Sequence, residues 1–224
     1  MTHTSKVAVI GLGNIGTIVA ENLVKGGRSF IVADRKIEKA KTFAQQSYGL
    51  ATALDITAAI KEADIVVLAV WFNTIKELLQ TYAEELQGKI IVDPSNPIAP
   101  DEKGGFKKII GETESAGEIL SSFLPKDASL VKAFGSLSAA SLSKAAFQQP
   151  EKAVLFYATD NTSFNAATEQ LISDSGFEPL RIGGIDQSIR MEVFGDLHEY
   201  GALGKTVTLT EAKEKVANVV IAGE

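Results

Sequence analysis

Cysteine is absent from this sequence, which excludes disulfides, thiolate catalysis and Cys-ligated zinc. Histidine is nearly absent too: His3 and His198 are the whole complement, so a His-rich metal site is excluded and no metal ligands are assigned. No apolar run reaches the roughly 18 to 20 residues that a membrane span requires. The opening MTHTSK lacks the apolar stretch of a signal peptide. The expectation is a cytoplasmic protein with no membrane partner. Basic residues are the minority, 22 against 28 acidic ones, and the net charge of −6 comes with no basic cluster, which argues against a nucleic-acid partner. Aromatic residues make up 7% and tryptophan occurs once, as Trp71.

What is present is an ordinary globular composition, 45% hydrophobic and 22% charged over 224 residues. That length suits one large domain, or one domain with a small appendage. The first hundred residues alternate short apolar runs with helical spacings. Residues 6–10, 29–33, 63–70 and the run KIIVDPSNP read as strands buried on both faces, and a short stretch near 50–52 as a further strand. Helices are expected at 14–25, 37–46, 56–62 and in NTIKELLQTYAEEL. Such alternation implies a parallel, doubly wound α/β sheet. Pro94, Pro97 and Pro100, followed by Gly104 and Gly105, suggest an extended loop before a helix in ESAGEILSSFL. Strands are expected at 130–134, 153–158 and 178–181, with a helix at 163–175 between the last two. The remainder reads as mainly helical. The domain division expected is a nucleotide-binding domain over 1–182 with extra strands and a small C-terminal helical segment over 183–224.

Gly11, Leu12, Gly13, Asn14, Ile15 and Gly16 spell G-x-G-x-x-G directly after the first strand and at the start of a helix. The three glycines suit a tight turn, a close approach to a pyrophosphate and close helix–strand packing. The helix N-terminus offers unpaired N–H groups and a favourable dipole to the anion. Asp34 ends the next strand, where an acidic residue accepts hydrogen bonds from the adenosine ribose and favours NAD. Arg35 and Lys36 follow at once and suit a 2′-phosphate, hence NADP, unless they are only solvated residues at a helix start. Both cofactors remain open on these residues. Adenosine-binding methyltransferases share the turn, but nothing else in the chain favours one.

Two more strand ends face the ligand side of such a sheet. After ADIVVLA come Val70 and Trp71, whose indole could cover the dinucleotide or a planar second substrate, or could pack under a loop. After KIIVD come Ser95, Asn96 and Pro97; Ser95 and Asn96 could hydrogen-bond the nicotinamide ribose or amide, or could serve the turn alone. In the tail, Asp196, His198, Glu199 and Tyr200 lie close together, and His198 is the candidate catalytic residue, able to protonate or orient a substrate. The alternative is a helix end, with Gly201 and Gly204 as breaks.

Together VAVIGLGNIG, ADIVVLAV, KIIVDPSNPI, ESAGEILSSFLPKDASLVKAF and RIGGIDQSIRMEV resemble the NADP oxidoreductases that depend on coenzyme F420, a deazaflavin. The relatives include bacterial dinucleotide-binding proteins and the cytosolic reductase domain of certain ferric reductases. The resemblance covers about residues 6–195. It implies a Rossmann-type fold, NADP as cofactor, hydride transfer to a flavin or deazaflavin as second substrate, and a homodimer. Transfer between two rings needs little from side chains beyond stacking and exclusion of water. A hydroxy-acid dehydrogenase would need a Lys or His at the alcohol oxygen, and Lys144 and Lys205 are expected on the surface. The expected function is an oxidoreductase acting between NAD(P)H and a small redox acceptor. The alternative is a regulatory module that binds a dinucleotide without turnover.

Overall fold

The computed structural model describes residues 4–217; His3 and the last seven residues lie outside the described part. The chain runs β1 (Val7–Ile10), α1 (Asn14–Lys25), β2 (Phe30–Ala33), α2 (Ile37–Gln45), β3 (Ala51–Ala53), α3 (Ile56–Glu62), β4 (Ile65–Leu68), α4 (Phe72–Thr81) and β5 (Ile90–Asp93). A hairpin of β6 (Ile98–Pro100) and β7 (Phe106–Lys108) follows, then α5 (Ala116–Ser121), β8 (Ser129–Ala133), α6 (Ala139–Lys144) and β9 (Val154–Ala158). After α7 (Asn165–Asp174) and β10 (Glu178–Gly183), a 3₁₀ turn at Ile185–Met191 leads through irregular chain to α8 (Leu209–Ala217).

Eight strands form one sheet in the order β10-β9-β8-β5-β4-β1-β2-β3. Its pairings are parallel except β8 with β9, where Lys132 faces Ala158 and Ala133 faces Tyr157 in antiparallel register. This is the α/β, mostly parallel, doubly wound Rossmann-type sheet expected from the alternation of apolar runs and helices. The period-2 geometry of a strand sends alternate side chains to opposite faces. In β1, Val7 and Val9 join the core beneath α1, α6 and α7, whereas Ala8 and Ile10 join the core beneath α3, α4 and α5. Because both faces are covered, the strands read as unbroken apolar runs.

Three features differ from the sequence reading. Residues 97–109 are not one extended loop: β6 and β7 pair antiparallel through Ile98–Lys108, Ala99–Lys107 and Pro100–Phe106. The short, proline-bearing strands sit away from the main sheet, where a missing N–H is tolerated. α4 stops at Thr81 because Tyr82 leaves helical geometry. The following turn, closed by Leu86 N–H on the Tyr82 carbonyl, delivers Leu86 to the core with no exposure. The described part of the tail, 184–217, carries the expected short C-terminal helix as α8, but between the 3₁₀ turn and α8 it runs as irregular chain, and 218–224 lie outside the described residues. Met191, Leu197, Leu203 and Val207 pack on β9 and β10 as a third apolar cluster, and burial rather than helical periodicity fixes their path.

Candidate functional site

The ends of β1 and β4 mark the point where the connections depart to opposite faces of the sheet, and ligands of doubly wound folds sit there. Gly11 leaves β1 with φ +94°, and a Cβ on it would lie 2.6 Å from Val70 Cγ1 and 2.7 Å from the Ala69 carbonyl oxygen. A Cβ on Gly16 would lie 1.9 Å from the Gly11 carbonyl oxygen. Both positions are glycine because the protein itself leaves no room. Gly13 differs. It is the residue that precedes α1, its φ of −72° suits any residue, and beyond its own chain neighbours no atom lies within 4 Å of a Cβ built there. No side chain caps α1.

Gly13 and Asn14 are exposed, Ile15 is half-buried against the core and the Leu12 side chain is buried. A cleft of about 540 Å³ opens between Gly13, Asn14 and Thr17 on one side and Ala140 and Ser143 of α6 on the other, with Lys39 at its rim. Asp34 braces the turn: Oδ2 accepts the Leu12 N–H at 2.9 Å and Oδ1 accepts the Lys36 N–H at 2.9 Å. Arg35 and Lys36 are exposed. Lys39, which the sequence reading missed, donates from Nζ to the Leu12 carbonyl, so the two backbone polar groups of Leu12 are held by an anion at the N–H and a cation at the carbonyl. The missed signal was its position, one helical turn after Lys36.

At the end of β4, Val70 is half-buried against the Gly-rich turn. Trp71 is 57% exposed at the start of α4, so it is not packed under a loop. The end of β5 is arranged differently from expectation. Asn96 donates from Nδ2 to the Gly135 carbonyl at 3.0 Å and accepts the Val193 N–H on Oδ1 at 2.7 Å. Its amide ties together three chain segments, an engagement that neither the ligand reading nor the turn reading of Asn96 included. Pro97 is buried and its carbonyl accepts the Ile109 N–H at the base of the hairpin.

Beneath Asn96 lies a buried ion pair that the sequence reading passed over. Lys132 Nζ is 2.7 Å from Asp93 Oδ2, and neither side chain has any exposure. The two residues are register partners on β5 and β8. Phe134, just past β8, adopts a left-handed backbone with φ +64°, a conformation costly for a bulky residue. This bend lays Gly135 on Pro94, whose carbonyl oxygen would be 3.0 Å from a Cβ there.

The tail residues do not converge on one site. Asp196 pairs with Arg190 at 2.8 Å, and Tyr200 is 62% exposed. Glu199 accepts the Ser138 N–H at 2.6 Å and the Ser141 hydroxyl at 2.5 Å; burial pushes its carboxyl up, but these donors outweigh burial and hold it below its ordinary value. His198, the expected catalytic residue, is 1% exposed, and its Nδ1 accepts the Tyr200 N–H at 2.9 Å. Burial lowers its pKa to about 4, against the opposing effects of a hydrogen bond to the Gly135 backbone and of Glu199. At neutral pH the ring is uncharged, which suits a brace under the Gly135 bend and not an imidazolium that gives up a proton. Neither is it at a helix end, because residues 194–204 form turns. Lys144 is exposed, and Lys205 pairs with Glu211 at 2.6 Å.

A Gly-rich turn at the switch point, an uncapped helix N-terminus and an acidic residue closing β2 define an NAD(P)-binding fold of the kind oxidoreductases use. The model of the family described as NADP oxidoreductase, coenzyme F420-dependent, matches residues 6–97, so the resemblance read from the sequence holds over that span. Rat metalloreductase STEAP3 is 28% identical over 187 residues, which are 84% of this chain but 36% of that protein. The chain thus spans about a third of the length of this curated relative. A hypothetical protein of Sinorhizobium meliloti has the same fold at a TM-score of 0.78 and 25% identity, covering 92% of this chain and 96% of that one. A candidate F420-dependent NADP reductase of Arthrobacter aligns with a TM-score of 0.68 over 83% of this chain and 87% of its own, at 22% identity. Among the described residues no helix is long and apolar enough to cross a membrane, and no group of three or more His, Cys, Asp or Glu could hold a metal ion.

Proposed function

We propose that this chain binds NAD(P) across the Gly11–Gly16 turn and exchanges a hydride between the nicotinamide and a small planar acceptor of the flavin or deazaflavin class. The observation that carries the reading is Gly13. The protein gives this position full room for a side chain and an unstrained backbone, so the demand for glycine comes from outside the protein. A pyrophosphate lying on the N–H groups of α1 supplies that demand. Gly11, Leu12, Asn14, Ile15 and Gly16 shape the same cradle, while Asp34 faces the adenosine ribose. A bound nicotinamide supplies the hydride. The chain's own part is to bind, to orient the ring and to keep water away, with Val70 and Trp71 beside the acceptor.

The proposed reaction class is supported by which side chains are engaged. Lys132 is locked to Asp93 and His198 is neutral and buried. Neither suits proton transfer to an alcohol or carbonyl oxygen, whereas ring-to-ring hydride transfer needs no such group. The same engagement favours a second reading, a dinucleotide-binding module without turnover. Cofactor choice balances Asp34, which repels a 2′-phosphate, against Arg35, Lys36 and Lys39; we expect a slight preference for NADH. A homodimer, as in the resembling family, is part of the proposal.

The test is titration of the protein with NADH and NADPH, followed by oxidation assays with deazaflavin, flavins, quinones and ferric complexes as acceptors. Binding together with acceptor-dependent oxidation supports the enzyme. Binding without oxidation by any acceptor favours the module, and no binding of either dinucleotide overturns both.

A further inference from the structure

Asp93 and Lys132 do more than neutralise each other. Asp93 Oδ1 accepts the Ser95 N–H at 2.7 Å, and Lys132 Nζ donates to the Ser95 carbonyl. One residue is therefore gripped at both of its backbone polar groups by the two halves of a buried ion pair. Its hydroxyl oxygen is buried with no hydrogen-bond partner among the described residues. Removing two charges from water offsets most of what their attraction returns, so stability alone gives weak cause for such a pair. An unpartnered buried hydroxyl is likewise a cost, unless something outside the chain engages it.

The place of Ser95 in the sheet points to what that is. β2 and β5 lie on opposite sides of β1, in the order β2-β1-β4-β5. With the pyrophosphate at the end of β1 and the adenosine beside Asp34 at the end of β2, the other nucleoside extends past β4 towards β5. Ser95 stands two residues beyond β5. It retains 8% exposure, and a serine hydroxyl swings among staggered positions.

We propose that Asp93 and Lys132 are positioning residues that fix Ser95, and that the Ser95 hydroxyl bonds the carboxamide of the nicotinamide. A carboxamide presents both an acceptor oxygen and a donor N–H, and a hydroxyl can meet either. The inference rests on the dinucleotide reading above. It adds a second anchor at the opposite end of the cofactor from Asp34, one that fixes which part of the ring is offered to the acceptor.

The experiment compares NADH with ADP-ribose, the same molecule without its nicotinamide, by calorimetry. Ser95→Ala removes only a hydroxyl without an internal partner, so the fold should be kept. It is expected to weaken NADH about tenfold, the worth of one net hydrogen bond, and to leave ADP-ribose unchanged. Asp93→Leu with Lys132→Met replaces the pair by apolar groups, a change buried pairs often tolerate. This double variant is expected to keep its stability and its ADP-ribose affinity while losing NADH affinity like Ser95→Ala. Recovery of wild-type NADH affinity in it, or parallel losses for both ligands, overturns the proposal. If it does not fold, Lys132→Gln is measured alone and with Ser95→Ala: losses that fail to add support action through Ser95, and additive losses overturn it. A wild type that binds neither ligand overturns the dinucleotide reading and this inference with it. One that binds both, with variants that lose neither, overturns the inference alone.

Discussion

The two ends of the strand-end crevice are built on opposite plans. At β1 and β2 the chain leaves space: Gly13 and Asn14 are exposed, a cleft opens towards α6, and Arg35 and Lys36 reach into solvent. Around the ends of β5 and β8 the buried polar side chains are engaged inside the protein, Lys132 with Asp93, Asn96 with Gly135 and His198 with the Tyr200 N–H. The Ser95 and Ser136 hydroxyls are left without a partner among the described residues. The open end is suited to receive charge, since a phosphate needs donors that nothing else occupies. The closed end is suited to hold a shape. On the proposed reading, a nicotinamide and its hydride acceptor have to be positioned to about half an ångström, and interlocked buried groups are suited to supply that rigidity.

The sharpest way to break the closed end is Lys132→Met by itself. Asp93 would be left buried without its cation, a change that costs about 3–5 kcal/mol. Urea denaturation should show that loss, and a cost below about 1 kcal/mol would mean that water reaches Asp93. The matching break at the open end is Gly13→Val. The side chain has room in the protein and the backbone is already extended, so stability should hold within about 1 kcal/mol. Dinucleotide affinity should fall by at least about a hundredfold, because the valine occupies the place of the pyrophosphate. Unchanged cofactor affinity in the folded variant would move the site elsewhere.

Acid should separate the two ends without mutation. His198 has a folded pKa of about 4 against an ordinary 6.5. Between these values the unfolded chain binds the proton and the folded one does not, so stability is full above about pH 6.5 and falls as pH drops towards 4. The size is up to about 3 kcal/mol, and His198→Gln should flatten that part of the stability–pH curve. A wild-type curve already flat over this range would mean that the imidazole is solvated.

A smaller effect tests the choice of cofactor. Asp34→Ser removes a carboxylate that repels a 2′-phosphate, so the ratio of Kd for NADPH to Kd for NADH should drop about tenfold at one fixed salt concentration, near 1.4 kcal/mol. A wild type that already binds NADPH tenfold tighter would mean that Arg35, Lys36 and Lys39 outweigh Asp34. The smallest expected effect on stability is that of Trp71→Ala, within about 0.5 kcal/mol for an exposed side chain. It should raise KM for the acceptor more than Kd for the dinucleotide. With a single tryptophan in the chain, indole emission untouched by NAD(P)H, in quenching and in energy transfer alike, would place Trp71 away from the cofactor.

The sequence by itself determined the open end. Unbroken apolar runs dictate strands covered on both faces, Gly11 and Gly16 allow a turn that Ala69, Val70 and the Gly11 carbonyl would otherwise block, and both signals lie within a few consecutive residues. Asp34 was legible for the same reason, as the polar residue that closes an apolar strand. The closed end joins residues separated by 39 positions in Lys132–Asp93, by 97 in Asn96–Val193 and by 61 in Glu199–Ser138. A lone lysine in SLVKAF and a lone aspartate ending KIIVD hint at a pair, but only the parallel register of β5 with β8 brings them face to face. His198 carries the same lesson: its residue type proposes a proton donor, and its burial makes it a neutral brace. Local pattern sets secondary structure because propensity and periodicity act over a few residues. The charge state and partners of a side chain depend on what the folded chain packs around it, and that was decided only in three dimensions.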